Sequence, residues 1–352
     1  MAHVFVGMSG GVDSSTAALL LQREGHRLSG VNLQLFPPSE AELYARALAD
    51  AEDARAVATR LGFPLHVLDC PDEFMDCVIR EFIAEYEAGR TPNPCITCNR
   101  TIKFGVLLDR ALEMGADRLA TGHYAQVAYD NASGRWLLKR GADLGKDQSY
   151  FLAQLTQHQL SHALFPLGSL SKPDVRALAE ENDLINARKR DSQDICFVPD
   201  GDYAAVIRRL TGRTSPEGEF LAADGRVLGR HKGFIRYTKG QRRGLGVSAA
   251  EPLYVLSKDP ASASVTLGPD SALWERELTA ERMNWISIPS LEVPMAVTAK
   301  TRHSQREAAA VVEPLPGGRA RVVFDAPQRA ITPGQSVVLY DGDIVVGGGI
   351  IC

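Results

Sequence analysis

Three stretches of this 352-residue chain combine residue types that do chemistry. Gly7-Met8-Ser9-Gly10-Gly11-Val12-Asp13-Ser14-Ser15 follows the apolar Val4-Phe5-Val6 and leads into a run with Ala17, Ala18, Leu20 and Leu21 at helical spacing. Glycines let a backbone approach an anion, successive amides form a nest, and a helix start adds positive potential, so this loop suits a phosphate. An ordinary strand-to-helix turn capped by Asp13 or Ser14 would need less. In the second stretch, Gly89-Arg90-Thr91-Pro92-Asn93-Pro94-Cys95-Ile96-Thr97-Cys98-Asn99-Arg100, two prolines flank Asn93. They predict an extended loop held away from helical geometry, with Cys98 leading to a helix whose N-terminus would favour its thiolate. The Cys-x-x-Cys spacing equally suits half of a zinc or iron–sulfur site, which further ligands would have to close. The third stretch, Asp191-Ser192-Gln193-Asp194-Ile195-Cys196-Phe197-Val198-Pro199-Asp200, puts Cys196 at the start of a short apolar run, where a small core residue would serve as well.

Lesser signals surround these. Thr121-Gly122-His123-Tyr124-Ala125 ends a predicted strand, where ligands of α/β sheets lie, and Gly122 would admit a nucleotide closely. His123 reads as a packed or capping residue with a minor role. Lys146-Asp147-Gln148-Ser149 could present cationic and amide groups to phosphate or could cap a helix. Arg188-Lys189-Arg190 and the stretch from His231 to Arg243 are basic, the latter with Phe234 and Tyr237 interleaved and no acidic residue. Such a run is either a solvated face or a grip on a phosphate backbone. Thr301-Arg302-His303 is a weaker patch of the same kind.

The elements that must position these residues change character along the chain. Predicted strands at 4–6, 28–35, 64–68 and 118–121 alternate with helices at 14–24, 41–61, 74–87 and 106–114, which predicts a parallel sheet covered on both faces. Beyond about residue 205, short β-like runs at 234–237, 253–256, 296–299, 321–324 and 336–340 are separated by turn pairs such as Asp224-Gly225 and Asp341-Gly342. Residues 261–273 read as a connector, so the expected domains are 1–205, 206–273 and 274–352. A 45% hydrophobic and 23% charged composition with net charge −4 excludes a disordered, collagenous or membrane chain but names no partner. No apolar run approaches the roughly 20 residues of a spanning helix. The first strand begins too early to leave room for a leader, so a cytoplasmic location is expected. In a reducing compartment the 6 cysteines would be buried thiols, metal ligands or redox groups.

The first loop lacks the Gly-Lys-Ser/Thr ending of a Walker sequence and the Gly-x-Gly-x-x-Gly fingerprint. It resembles the Ser-Gly-Gly-x-Asp-Ser loop of the PP-loop ATP pyrophosphatases, enzymes that split ATP into AMP and pyrophosphate. With Thr91-Pro92-Asn93-Pro94, Cys98-Asn99, Thr121 to Ala125, Lys146-Asp147-Gln148, Asp191 to Phe197, Thr332-Pro333-Gly334-Gln335 and Gly347-Gly348-Gly349-Ile350-Ile351, essentially the whole chain resembles the tRNA-specific 2-thiouridylases, the MnmA family. The resemblance implies an α/β N-terminal domain of the adenine nucleotide alpha-hydrolase type followed by two small, mostly β domains, the last a β-barrel. It implies an ATP site lined by Gly7, Met8, Ser9, Gly10, Gly11, Val12, Asp13, Ser14, Leu33 and Gly122. Asn93, Pro94 and Cys95 would meet the target base, and Lys146, Asp147, Gln148, Arg302 and His303 would touch tRNA. Some members carry Asp in place of Cys95 and Met in place of Leu33.

On this resemblance, ATP with Mg²⁺ activates the uracil C2 oxygen, Cys196 carries a persulfide sulfur from a donor protein (a cysteine desulfurase or its carrier), and Cys98 is the partner nucleophile. A transient Cys98–Cys196 disulfide results. Two alternatives stand beside it: an iron–sulfur cluster, [4Fe–4S], on Cys95, Cys98 and Cys196, and a small-molecule ligase of the same ATP class with no RNA substrate.

Overall fold

The computed structural model describes residues 1–189 and 195–352. Its first layer is a parallel sheet of β1 (His3–Gly7), β2 (Arg27–Gln34), β3 (Leu65–Asp69), β4 (Arg118–Ala120) and the two-residue β7 (Ala163–Leu164), in the order β3-β2-β1-β4-β7. The runs of β1 and β2 are almost continuously buried, as expected of strands covered on both faces. Helices α1 (Val12–Arg23) and α2 (Ala41–Leu61) follow β1 and β2. The order reverses at β1, whose neighbours are β2 on one side and β4 on the other. In open α/β sheets the crevice at such a reversal, beyond the carboxyl ends of the strands, is where ligands lie.

Two long helical segments cover the thiol side of this sheet. One runs Pro71–Phe74, Met75–Ile79 and Arg80–Glu87, the other Pro94–Cys98, Asn99–Val106 and Leu107–Glu113, and in each the middle piece is a π-helix. The extended loop expected around Asn93 therefore runs only as far as Asn93 itself, and from Pro94 on the expectation is corrected. Pro94 occupies the first helical position, where a missing N–H costs nothing and a fixed φ helps, so it starts a helix instead of preventing one. Cys98 consequently lies within a helical run, not before one.

The second unit is a four-stranded sheet of β8 (Gly218–Ala222), β9 (Val227–His231), β10 (Tyr254–Asp259) and β11 (Ser264–Gly268), in the order β10-β11-β8-β9. Residues 261–273 thus hold a strand and a short 3₁₀ turn, not a plain connector. Phe234–Arg236 forms a 3₁₀ turn where a strand was expected, and Phe234 and Tyr237 are buried in a core shared with Phe82, Tyr86 and Phe197. Those two rings anchor the unit and are not free to stack on bases. Of the cations in this stretch, Arg236 pairs with Asp202 at 3.5 Å and Lys239 with Glu275 at 2.9 Å, whereas Lys232, Arg242 and Arg243 are exposed.

The third unit is a closed six-stranded barrel. β12 (Trp274–Trp285), β15 (Arg319–Arg329), β14 (Ala308–Leu315), β13 (Met295–Lys300), β16 (Ser336–Asp341) and β17 (Ile344–Ile351) follow one another, and β12 pairs with β17 to close the ring. β17 also pairs through Ile344 with Lys139 of β6 (Arg135–Arg140), whose hairpin partner is β5 (Ala125–Asp130). The barrel is thereby tied to the first unit. Among the described residues no helix is long and apolar enough to cross a membrane.

Candidate active site

The phosphate-type loop occupies the crevice that the strand order creates. Gly7 ends β1, Leu33 lies near the end of β2, and Gly122 follows β4, so all three stand at the carboxyl ends of adjacent parallel strands. Gly11, not Asp13 or Ser14, occupies the N-cap of α1, which leaves the first-turn amides turned to the loop without a side-chain cap. The loop is held from outside. The Asn32 side-chain amide donates to the Met8 carbonyl at 2.7 Å, and that of Asn186 donates to the Gly10 carbonyl at 3.1 Å and to Ser15 Oγ at 2.8 Å. Inside it, the Ser9 amide donates to Ser14 Oγ at 3.2 Å, and Ser14 Oγ donates to the Gly11 carbonyl at 3.1 Å. Gly10 has φ +69°, and a Cβ there would strike the Asp50 backbone of α2.

Gly122 also has a packing role at the start of α1. A Cβ at Gly122 would lie 2.7 Å from Asp13 C and Ser14 N, so the glycine lets the β4 end touch the start of α1. Asp13 is fixed in turn by buried Lys172, whose Nζ donates to both carboxylate oxygens at 2.7 and 2.8 Å, and by Tyr124, whose hydroxyl donates to Oδ1 at 2.8 Å. Sequence reading missed Lys172, Asn32 and Asn186. The capping box Ser171-Lys172-Pro173-Asp174 does mark a helix start, but nothing local says that its lysine turns inward.

The thiols lie on the neighbouring wall. Leu33 packs against the apolar cluster that also receives Cys98 and Ile195 and is built on Ile102, Phe197 and Val198. Phe197 is fixed edge-on to Phe74 and Phe82 at 5.9 and 5.0 Å. All 6 cysteines are free. Burial pushes the Cys98 thiol up to about 11, opposed by Lys103, and burial also raises Cys95. Cys196 is pushed up to about 12, first by burial and then by the nearby Cys98 and Cys95. Its side chain is nevertheless open to solvent, a combination that fits a residue in a cleft walled by protein. The helix N-terminus was expected to favour the Cys98 thiolate; instead, desolvation outweighs it. Among the described residues no three cysteine, histidine or carboxylate side chains group closely enough to hold a single metal ion. Arg190 and the Asp191 to Asp194 part of the motif lie outside the described residues.

Several of the residues expected to meet tRNA lie around Phe151. The Asn99 side chain donates to the Phe151 carbonyl at 3.1 Å, placing the Asn93-Pro94-Cys95 turn beside the helix that Lys146-Asp147-Gln148 leads into. His303 of the barrel packs on the Phe151 ring at 4.4 Å, with Nε2 3.4 Å from the Asp147 carbonyl. Asp147 is buried and accepts from the Gly141 and Ser149 amides, and Gln148 Oε1 accepts from the Tyr124 amide at 3.0 Å. Arg302 is half-buried and donates to the Ala330 carbonyl and to Thr332 Oγ1. Gln335 donates to the Thr91 carbonyl at 2.8 Å, so the barrel grips the loop that leads to the thiols. Of the other basic patch, Lys189 is paired with Asp50 and Asp53 at 2.7 and 2.6 Å.

A parallel sheet with a glycine-serine loop at its reversal, followed by two β units, defines a PP-loop protein of the HUP class carrying a PRC-type barrel and a terminal barrel. Residues 2–200 match the family described as tRNA methyl transferase HUP domain, 207–269 its PRC-barrel domain, and 275–351 the aminomethyltransferase beta-barrel domain. The tRNA-specific 2-thiouridylase MnmA of Acetivibrio thermocellus is 50% identical over 353 residues, covering 99% of this chain and 98% of the relative. Those of Heliobacterium modesticaldum and Acidobacterium capsulatum are 50% and 48% identical over 99% of this chain and 92% and 98% of theirs. The chain belongs to the tRNA-specific 2-thiouridylase (MnmA) family.

Proposed function

We propose that this protein makes 2-thiouridine at the wobble position of tRNA, using ATP to activate the uracil and a cysteine persulfide to supply sulfur. The observation that carries this reading is the juxtaposition of a preformed anion loop with two free cysteines, Cys98 and Cys196, on the adjoining wall. An amide-forming ligase of the same ATP class needs no such pair. The C2 carbonyl of uracil is a poor electrophile and its oxygen a poor leaving group. Transfer of adenylate from MgATP to that oxygen, with pyrophosphate received by the amides of Gly7 to Ser14, turns it into AMP, a good leaving group.

Cys196 then presents the sulfur as a persulfide delivered by a cysteine desulfurase or its carrier. In one order the terminal sulfur attacks C2, AMP departs, and the Cys98 thiolate attacks Cys196 Sγ, breaking the S–S bond and leaving the thiocarbonyl. In the other, Cys98 attacks first and the released hydrosulfide attacks C2. Either way the transferred sulfur gains two electrons, the two cysteines lose them and form a Cys98–Cys196 disulfide, and a cellular thiol reductant reopens it. Asn93, Pro94 and Cys95 would border the target base, with Lys146, Asp147, Gln148, Arg302 and His303 framing the tRNA. The reaction would run in the cytoplasm.

The test is to incubate the protein with unmodified tRNA, MgATP and a sulfur donor, then digest the tRNA and look for 2-thiouridine by mass spectrometry. Wild type is expected to form it, with Cys196→Ser and Cys98→Ser each inactive. Formation by Cys196→Ser at the wild-type rate would overturn the persulfide route, and its absence with wild type would overturn the activity.

A further inference from the structure

Lys103 belongs to no expected site, yet the helix brings it to the thiols. Cys98 is the last residue of Pro94–Cys98, and Lys103 lies five positions on within the π-helical piece Asn99–Val106. In an α-helix, five residues at 100° each would turn Lys103 about 140° away from Cys98. With i→i+5 hydrogen bonding the turn holds about 4.4 residues, which brings the two to within about 50° of one face. Cys95, three residues before Cys98, shares that face. The π-helical piece begins at Asn99, directly after Cys98, and is still i→i+5 bonded at its far end, where the Leu107 amide donates to the Ile102 carbonyl, so the wide winding spans Lys103.

Lys103 is half-exposed, and among the described residues no carboxylate pairs with it. Its charge acts on four groups, Cys95, Cys98, Cys196 and His123, lowering each. His123 follows Gly122 just beyond β4, so the same charge is felt at the nucleotide end of the site as well as at the sulfurs. The neighbouring segments carry other charges, but Glu73 is held by Arg110, Asp76 by Arg80, and Glu81 by Thr97 and Arg282. Asp72, Asp109, Glu113, Arg100, Cys77 and Tyr150 are further titratable groups on the packed elements, and among the described residues Lys103 lowers Cys98 while Cys95 raises it.

We propose that Lys103 is a positioning residue for sulfur transfer, the cation that favours anionic sulfur at Cys98 and Cys196. Both orders of transfer need an anionic sulfur nucleophile in a desolvated wall, where one unpaired ammonium has most effect. The proposal rests on the thiolation reading, but its test does not: site-resolved iodoacetamide labelling of Cys98 across pH needs neither tRNA, ATP nor donor. Lys103→Met is expected to slow labelling of Cys98 about fivefold at pH 8 and move its profile to higher pH, Lys103→Glu further, and Lys103→Arg little. Superposable profiles for wild type, Lys103→Met and Lys103→Glu would overturn it, as would equal slowing by Lys103→Arg and Lys103→Met. The charge series separates an electrostatic role from a loss of packing, with circular dichroism confirming that each variant is folded. A wild type that makes no 2-thiouridine would sink the thiolation reading and leave this labelling result standing.

Discussion

The glycine-serine loop and the thiol-bearing helix adjoin each other but are held in opposite ways. The loop is tied at nearly every polar point, through Asn32, Asn186, Ser14 and the Lys172–Asp13–Tyr124 group. Among the described residues the thiols of Cys95 and Cys98 have no hydrogen-bond partner, and their surroundings favour the neutral form. A site built ahead of its ligand saves reorganisation when charge develops, which suits a departing pyrophosphate. A thiol kept protonated until its partner arrives avoids wasteful oxidation, which tracks thiolate character and access. One wall is preorganised and the other is held in reserve.

The largest expected effect breaks the first wall. Gly122→Ala forces a methyl into the start of α1, 2.7 Å from two backbone atoms that cannot swing aside. Overpacking of this kind costs about 1–3 kcal/mol, and because it displaces the loop itself the upper end applies, so thiolation should fall by about 100-fold, with a lowered Tm. Steady-state rates and a thermal melt check it; an active variant with an unchanged melt would mean that the loop is not rigid. Lys172→Met comes next. It leaves Asp13 without its cation but with its Tyr124 bond and partial solvent exposure, so the loss lies below that of a fully buried pair, at about 2 kcal/mol or about 30-fold. The loss should appear chiefly as weaker ATP binding, read by calorimetry.

How far each wall could be read from the chain follows the same division. The loop and the parallel sheet were legible because apolar runs, glycines and a helix start are local signals, and the strand order, seen only in the structure, places Gly7, Leu33 and Gly122 together. Lys172 and Asn186, which hold that loop, were not, because inward-turned polar residues far along the chain leave no periodic trace. On the other wall the two prolines misled: Pro94 reads as a helix breaker by type but acts as a helix starter by position. The π-helical turn that recruits Lys103 has no sequence signature of its own. Phe234 and Tyr237 stood interleaved with cations in a stretch that could grip a phosphate backbone, but the same aromatic-basic alternation also arises when one face of a segment is core.

The reserve in the second wall can be read through pH. At pH 8 a thiol with its pKa pushed to about 11 is ionised in about one molecule in a thousand. The few thiolates are intrinsically more nucleophilic, which recovers part of the loss, so Cys98 should label about 20-fold more slowly than an unperturbed cysteine. Its rate should then climb about tenfold per pH unit until close to pH 11, because ionisation is favoured only as pH approaches the raised value. A plateau near pH 8 would place the thiols in the preorganised class and erase the contrast between the walls.

The smallest effect probes how redundant the loop's anchoring is. Tyr124→Phe removes the hydroxyl that donates to Asp13 Oδ1 at 2.8 Å but leaves the ring in its buried place and Lys172 on both carboxylate oxygens. A hydroxyl bond to a carboxylate contributes about 1.5–3 kcal/mol, and with Lys172 still on both oxygens the loss lies at the low end, so ATP affinity should fall only about tenfold, with the thiol labelling profile unchanged. If the phenylalanine variant instead loses as much as Lys172→Met, the hydroxyl and the ammonium act as one coupled unit. A double variant no worse than either single one would establish that coupling. Additive losses would instead mean that each contact holds the loop independently, which is the behaviour expected of a wall that is rigid because many separate ties share the load.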